Sequence, residues 1–177
     1  MSDSSLKLFV DAVAFAANKH RAQRRKDVEA SPYINHPIAL AHVLVFEAKL
    51  NDGHVLVAAI LHDTLEDTET SFEELKERFG LPIAETVAEV TDDKTLPRQK
   101  RKALQIEHAP HLSKRAKLVK LADKICNLRD VASNPPKDWG LQRRREYFDW
   151  AKQVVDGLRG AHSRLEEIFD AAYAARP

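Results

Sequence analysis

The sequence predicts an all-α fold, and three observations carry that prediction. Apolar residues recur at helical spacing almost everywhere, and no convincing apolar–polar alternation marks a strand. Prolines, glycines and capping residues cut the chain into helix-sized pieces. The length of 177 residues suits one domain with a substantial core, expected over 1–177 with its packed part at about 6–170. No internal repeat, long linker or low-complexity tract interrupts it.

The elements follow in order. Leu6, Phe9, Val10, Val13, Ala14 and Ala17 mark the apolar face of a first helix. Pro32-Tyr33-Ile34-Asn35-His36-Pro37 reads as a loop whose last proline opens a second helix to about Leu50, because proline fits a first helical turn. Asn51-Asp52-Gly53 breaks the chain before a third helix, which begins with the apolar run Val55 to Leu61 and continues into the polar segment after it. Ser71-Phe72-Glu73-Glu74 is a capping box for a short helix that Gly80 stops. Pro82 opens a helix to about Thr91, and a polar loop, Asp92 to Thr95, follows. Pro97 starts the next helix and Pro110 ends it. Ser113 caps a helix with the stripe Leu118, Leu121, Ala122, Ile125 and Leu128. Pro135-Pro136 forces an irregular stretch, with Asp138 as cap for the long helix of Tyr147, Trp150, Val154 and Leu158. Gly160 separates this from a last helix bearing Leu165, Ile168 and Phe169.

Composition narrows the function classes. A formal net charge of +1 argues against wholesale binding to nucleic acid or to an anionic membrane. Charge is segregated locally, with Lys19, His20, Arg21, Arg24, Arg25 and Lys26 in one cluster. Asp63, Glu66, Asp67, Glu69, Glu73, Glu74 and Glu77 form the other. Such runs are usually solvated faces. Cys126 is the sole cysteine, which excludes an intrachain disulfide and a cysteine-based zinc site and leaves it as a small buried hydrophobe. Met1 to Ser5 lacks the features of a signal peptide, and the longest apolar run is too short to span a bilayer, so a soluble, cytoplasmic setting is expected.

The chemistry concentrates in His62-Asp63-Thr64-Leu65-Glu66-Asp67. On a continuous helix, Glu66 lies one turn beyond His62, and Glu66 and Asp67 lie three and four residues beyond Asp63. Three carboxylates and an imidazole then crowd one turn, where they repel unless a cation sits among them. A mononuclear site needs about four protein ligands from different elements. His36 at a helix entrance and Asp123 beside an apolar stripe are candidates to join His62 and Asp63. A lone histidine beside proline is more often structural, and an aspartate near a core is commonly paired; Lys120 and Lys124 are available partners. The ordered set on separate elements outweighs those readings. Asn127 shares the helical face of Asp123, whereas His20, His42, His54, His108, His111 and His162 read as surface or packing residues.

The pattern His36…His62-Asp63…Asp123 resembles the HD-domain metal-dependent phosphohydrolases. Longer blocks add to it: Arg24-Arg25-Lys26, Pro32 to Pro37, His62 to Thr68, Glu89 to Pro97, and Lys117 to Asp130. Together they are similar to the small alarmone hydrolases, stand-alone relatives of the hydrolase half of the Rel/SpoT proteins. The resemblance implies a helical HD-type fold and a manganese-dependent 3′-pyrophosphohydrolase. Such an enzyme converts ppGpp to GDP and pyrophosphate, and pppGpp to GTP and pyrophosphate. It further implies that His36, His62, Asp63 and Asp123 hold Mn²⁺, and that Glu66 and Asp67 orient and deprotonate the attacking water. Arg25, Lys26, Asn127 and Tyr147 contact the nucleotide, and Arg143, one turn before Tyr147, faces the same way. Leu65 replaces a common valine and Arg98 a lysine, while the stretch at 134–137 is individual. The chain has no room for synthetase domains, so alarmone synthesis is not expected. Two other readings remain open: the same site acting on another phosphorylated nucleotide such as NADPH, and a non-catalytic helical module that binds nucleotides or a protein.

Overall fold

The computed structural model describes residues 3–177. The helices are α1 (Asp3–Lys19), α2 (Asn35–His42), α3 (Gly53–Leu61), α4 (Thr64–Asp67) and α5 (Phe72–Phe79), followed by α6 (Leu81–Val90), α7 (Arg98–His108), α8 (Lys114–Ser133), α9 (Leu141–Asp156) and α10 (Ser163–Tyr173). A π-helical turn, Val43–Glu47, extends α2, and a 3₁₀ turn, Ala109–His111, extends α7. Among the described residues there is no strand, only an isolated bridge between Arg24 and Pro32.

Two helices form the centre. Every residue of α3 from Val55 to Leu61 is buried, which is the signature of a helix surrounded by others. Helix α8 buries Leu118, Val119, Leu121, Ala122, Ile125 and Leu128. It packs against α2, α3, α6, α9 and α10, while α1 and α6 cover α3. Phe148 of α9 and Phe169 of α10 are wholly enclosed. Asp52 caps α3 by accepting from the His54 and Val55 amides, and Ser113 caps α8 through Ala116 N–H at 3.2 Å.

Four sequence expectations are corrected. In α1 the buried residues are Ala12, Phe15 and Ala16, whereas Leu6 and Val10 are exposed. Two alanines allow close packing on α3, and Phe15 meets Phe79 edge-on at 5.3 Å, so the inward face is rotated from the one marked by the larger aliphatics. The second helix begins at Asn35 and closes in the π turn at Glu47, with Ala48 N–H bonded to Val43 O at 2.9 Å. The third helix is not continuous: it breaks at His62-Asp63. Asp63 takes φ −99° and ψ 0°, and the Thr64 hydroxyl occupies the Leu61 carbonyl at 2.6 Å. Asp138 does not cap the long helix; Gly140 stands at that position, and Asp138 instead lies 3.6 Å from Arg143. Among the described residues no helix is long and apolar enough to cross a membrane.

Candidate metal centre

His36 stands on the buried side of α2, His62 at the end of α3, and Asp123 midway along α8, where these three helices pack on one another. Their ligand atoms lie within 4.8 Å of one another. His36 Nε2 is 3.3 Å from Asp123 Oδ1, and His62 Nε2 is 4.0 Å from the same oxygen. Donors about 2.1 Å from a shared cation stand roughly 3–4 Å apart, so these separations fit one ion. His62 Nδ1 donates to Ala59 O at 2.8 Å, which leaves the Nε2 lone pair facing the cluster. That Nε2 is buried without a hydrogen-bond partner, although Asp63 Oδ2 lies 2.8 Å away. A ring nitrogen and a carboxylate oxygen in contact require a proton or a cation between them. The donor set therefore fits a divalent metal.

Electrostatics agree with the geometry. Burial pulls the His62 pKa down, but the Asp63 and Asp123 carboxylates outweigh it and raise the value to about 9 in the metal-free chain. Burial would push Asp63 and Asp123 up. Instead His62 and His36 hold Asp63 below the usual carboxylate range, and Lys124 with the two histidines does the same for Asp123. His36, by contrast, is lowered by burial.

The helix break decides where the acidic residues point. Asp63 adjoins the three-residue cluster through His62 and accepts from the Tyr33 hydroxyl. Glu66 enters the same cavity, of about 360 Å³, together with His36, His62, Asp63 and Asp123. Its Oε2 accepts from Asp92 N–H at 3.1 Å, and burial and then Asp63 raise its pKa to about 7. Asp67 does not line that cavity. It borders an adjoining one of about 530 Å³, where Gln23 Nε2 donates to it at 2.7 Å and Lys94 pairs with it.

Arg25, Lys26, Asn127 and Tyr147 line both cavities. Asn127 Nδ2 donates to Asp123 Oδ1 at 2.5 Å, Arg25 pairs with Asp130, and burial pushes the Tyr147 hydroxyl up to about 12. Arg143 lies outside the metal cavity, its guanidinium 4.6 Å from the Trp139 ring centre and 3.6 Å from Asp138, but it lines an outer cavity together with Tyr147, the side on which it was expected. Of the segregated charges, Lys19 pairs with Glu74, while Arg25 turns to Asp130 and Asp67 to Lys94.

Several cavity residues lie outside the sequence-derived set. Tyr33, in the loop before α2, donates its hydroxyl to Asp63, a contact that nothing in the loop sequence signals. Lys124 pairs with Asp123 at 3.0 Å, whereas Lys120 turns to Val90 O. Arg98, Arg101, Lys102 and Gln105 line the cavity from α7. Their spacing of three, four and seven residues was a legible polar face, but a polar face ordinarily signals solvent.

Residues 12–148 match the HD domain family model. The chain belongs to the HD domain family. It is 56% identical to the guanosine-3′,5′-bis(diphosphate) 3′-pyrophosphohydrolase MESH1 of Xenopus tropicalis, over 94% of this chain and 93% of that one. The enzyme of the same name from Homo sapiens is 54% identical over the same shares. The HD domain also superimposes, with a TM-score of 0.92 and 50% identity, on the solved structure of a metazoan ortholog of SpoT that hydrolyzes ppGpp and plays a role in starvation responses. That match covers 96% of this chain and 95% of the other.

Proposed function

We propose that this HD domain, over 1–177, is a divalent-metal-dependent hydrolase that releases pyrophosphate from the 3′ position of ppGpp and pppGpp. The observation that carries the reading is its identity of 54–56% to enzymes of that activity across nearly their whole length. The buried His36–His62–Asp123 cluster supports it. His36, His62, Asp63 and Asp123 would hold the ion. Imidazole and carboxylate donors without sulfur suit Mn²⁺. When bound, the cation supplies charge that polarises a phosphoryl oxygen and acidifies water.

The remaining work falls to the chain. Glu66 takes the proton of the attacking water: its carboxyl stands in the cavity, is raised toward neutrality by burial, and is steadied by Asp92 N–H. Asp67, fixed between Gln23 and Lys94, acts from the adjoining side. Arg25, Lys26, Asn127 and Tyr147 contact the nucleotide where the two cavities join. Arg143 stays at the outer rim against Trp139. A bond forms between water oxygen and phosphorus, the bond from phosphorus to the ribose 3′-oxygen breaks, that oxygen takes a proton in exchange for the one given to Glu66, and GDP from ppGpp, or GTP from pppGpp, leaves with pyrophosphate.

The test is to incubate the purified protein with ppGpp and Mn²⁺ and to follow GDP and pyrophosphate together. Turnover yielding both in equal amounts is expected. No release at micromolar enzyme overturns the reading.

A further inference from the structure

Lys120 sits in the wall of the metal cavity with its hydrogen bonding unfinished. It is 8% exposed, and its ammonium group, which carries three donors, gives one of them to Val90 O at 2.8 Å. Among the described residues no carboxylate comes within ion-pair distance of it. Lys124, one turn on, is different: its ammonium lies 3.0 Å from Asp123 Oδ2 and 4.5 Å from the Trp150 ring centre. A buried ammonium with one neutral partner is costly unless an anion completes its shell.

Its position says which anion. Val90 is the last residue of α6, and Asp92, two residues on, donates its N–H to Glu66 Oε2 at 3.1 Å. Two residues of backbone span at most about 7 Å. The Lys120 ammonium and the proposed proton acceptor therefore hang from one short segment. Arg101 adds to the same wall, with Nη1 3.6 Å from Glu66 Oε1 and a buried Nε that has no partner. Lys120 and Arg101 both line the cavity that holds His62, Asp63, Glu66 and Asp123. A group reaching that cluster would meet unspent cationic donors beside Glu66. Phosphoryl oxygens match them in charge, number and hydrogen-bonding sense.

We propose that Lys120 is a further catalytic residue, binding the non-bridging oxygens of the pyrophosphoryl group as it passes to water, with Arg101 beside it. This rests on the pyrophosphohydrolase reading above. The contact would strengthen as charge gathers on those oxygens, so it would act on turnover more than on nucleotide affinity. The competing role is purely structural: Lys120 satisfying the free carbonyl oxygen at the end of α6.

Calorimetric binding of inorganic pyrophosphate to the Mn²⁺-loaded protein separates the two, run beside ppGpp turnover and metal content. Lys120→Met is expected to keep its metal, to bind pyrophosphate at least about tenfold more weakly and to lose about 10²-fold in kcat. Lys120→Arg should recover part of both. If Lys120→Met does not fold, Lys120→Gln, which can still donate to Val90 O, replaces it with the same expectation. A folded variant with full pyrophosphate binding and kcat within about twofold of wild type overturns the proposal, even if its thermal stability falls. Wild type that binds pyrophosphate through Lys120 but leaves ppGpp intact would remove the substrate reading alone.

Discussion

At the scale of single residues, Asp63 and Glu66 stand one helical turn apart and are assigned different work. Asp63 touches His62 Nε2 across 2.8 Å, whereas Glu66 is held by Asp92 N–H away from the three-residue cluster. Asp63→Ala is expected to lose bound metal. Glu66→Ala should keep it and lose about 10²–10⁴-fold in turnover, the usual contribution of a positioned base. Metal content measured beside rate checks both, and full activity in the two variants would remove both roles. Glu66 also gives a pH prediction for the metal-free protein. Its folded pKa of about 7 lies above the ordinary glutamate value of 4.5, so folding favours the protonated form. The contribution is fully present below about 4.5 and is lost as pH rises through about 7. Chelated Glu66→Gln should therefore gain on wild type between pH 5 and pH 8 by on the order of 1–3 kcal/mol in urea unfolding. Equal pH slopes in the two proteins would contradict it.

At the scale of elements, legibility varied with what each signal reports. Ser71 and Ser113 cap their helices, because the serine cap is a local hydrogen bond that the side chain makes wherever the helix lies, but the Glu74 half of the expected capping box pairs with Lys19 instead. The α1 stripe held only in part: Phe9 and Val13 pack against the core, but Leu6 and Val10 are exposed while Ala12 and Ala16 are buried. Spacing finds a helix but does not say where along it the neighbouring helices lie. His36 and Asp123 were legible as chemistry on separate helices, 87 residues apart. The orientation of Asp67, Arg143 and Lys120 was not, since it depends on the break after α3, on Trp139 and on the end of α6. One close approach is directly testable. A Cβ on Gly157, at the end of α9, would lie 2.9 Å from Ala109 Cβ and 3.0 Å from Pro110 Cδ. Neither neighbour is a flexible tip. Gly157→Ala should destabilise by about 1–3 kcal/mol with little change in metal affinity. A thermal midpoint at or above that of wild type would show that the 3₁₀ turn yields freely.

At the scale of the whole molecule, the candidate metal site joins three helices that lie far apart in the sequence. Ligand atoms come from α2, from the α3–α4 junction and from α8, so an ion held there closes chain segments that the unfolded state leaves apart. The cation should therefore bind the folded chain and not the unfolded one. At about a hundred times the dissociation constant, such binding adds about 2.7 kcal/mol. For a domain of this size each kcal/mol moves the midpoint by about 2–4 °C, so Mn²⁺ should raise it by roughly 5–11 °C over the chelated protein. His36→Ala should abolish most of that rise, although His36 is far in sequence from the other donors, while Gly157→Ala should retain it in full. The contrast matters because an ion bound loosely to the exposed acidic residues would raise both variants alike. Differential scanning calorimetry with and without Mn²⁺ decides between them, and an undiminished rise in His36→Ala would mean that the three helices are not tied by a shared ion.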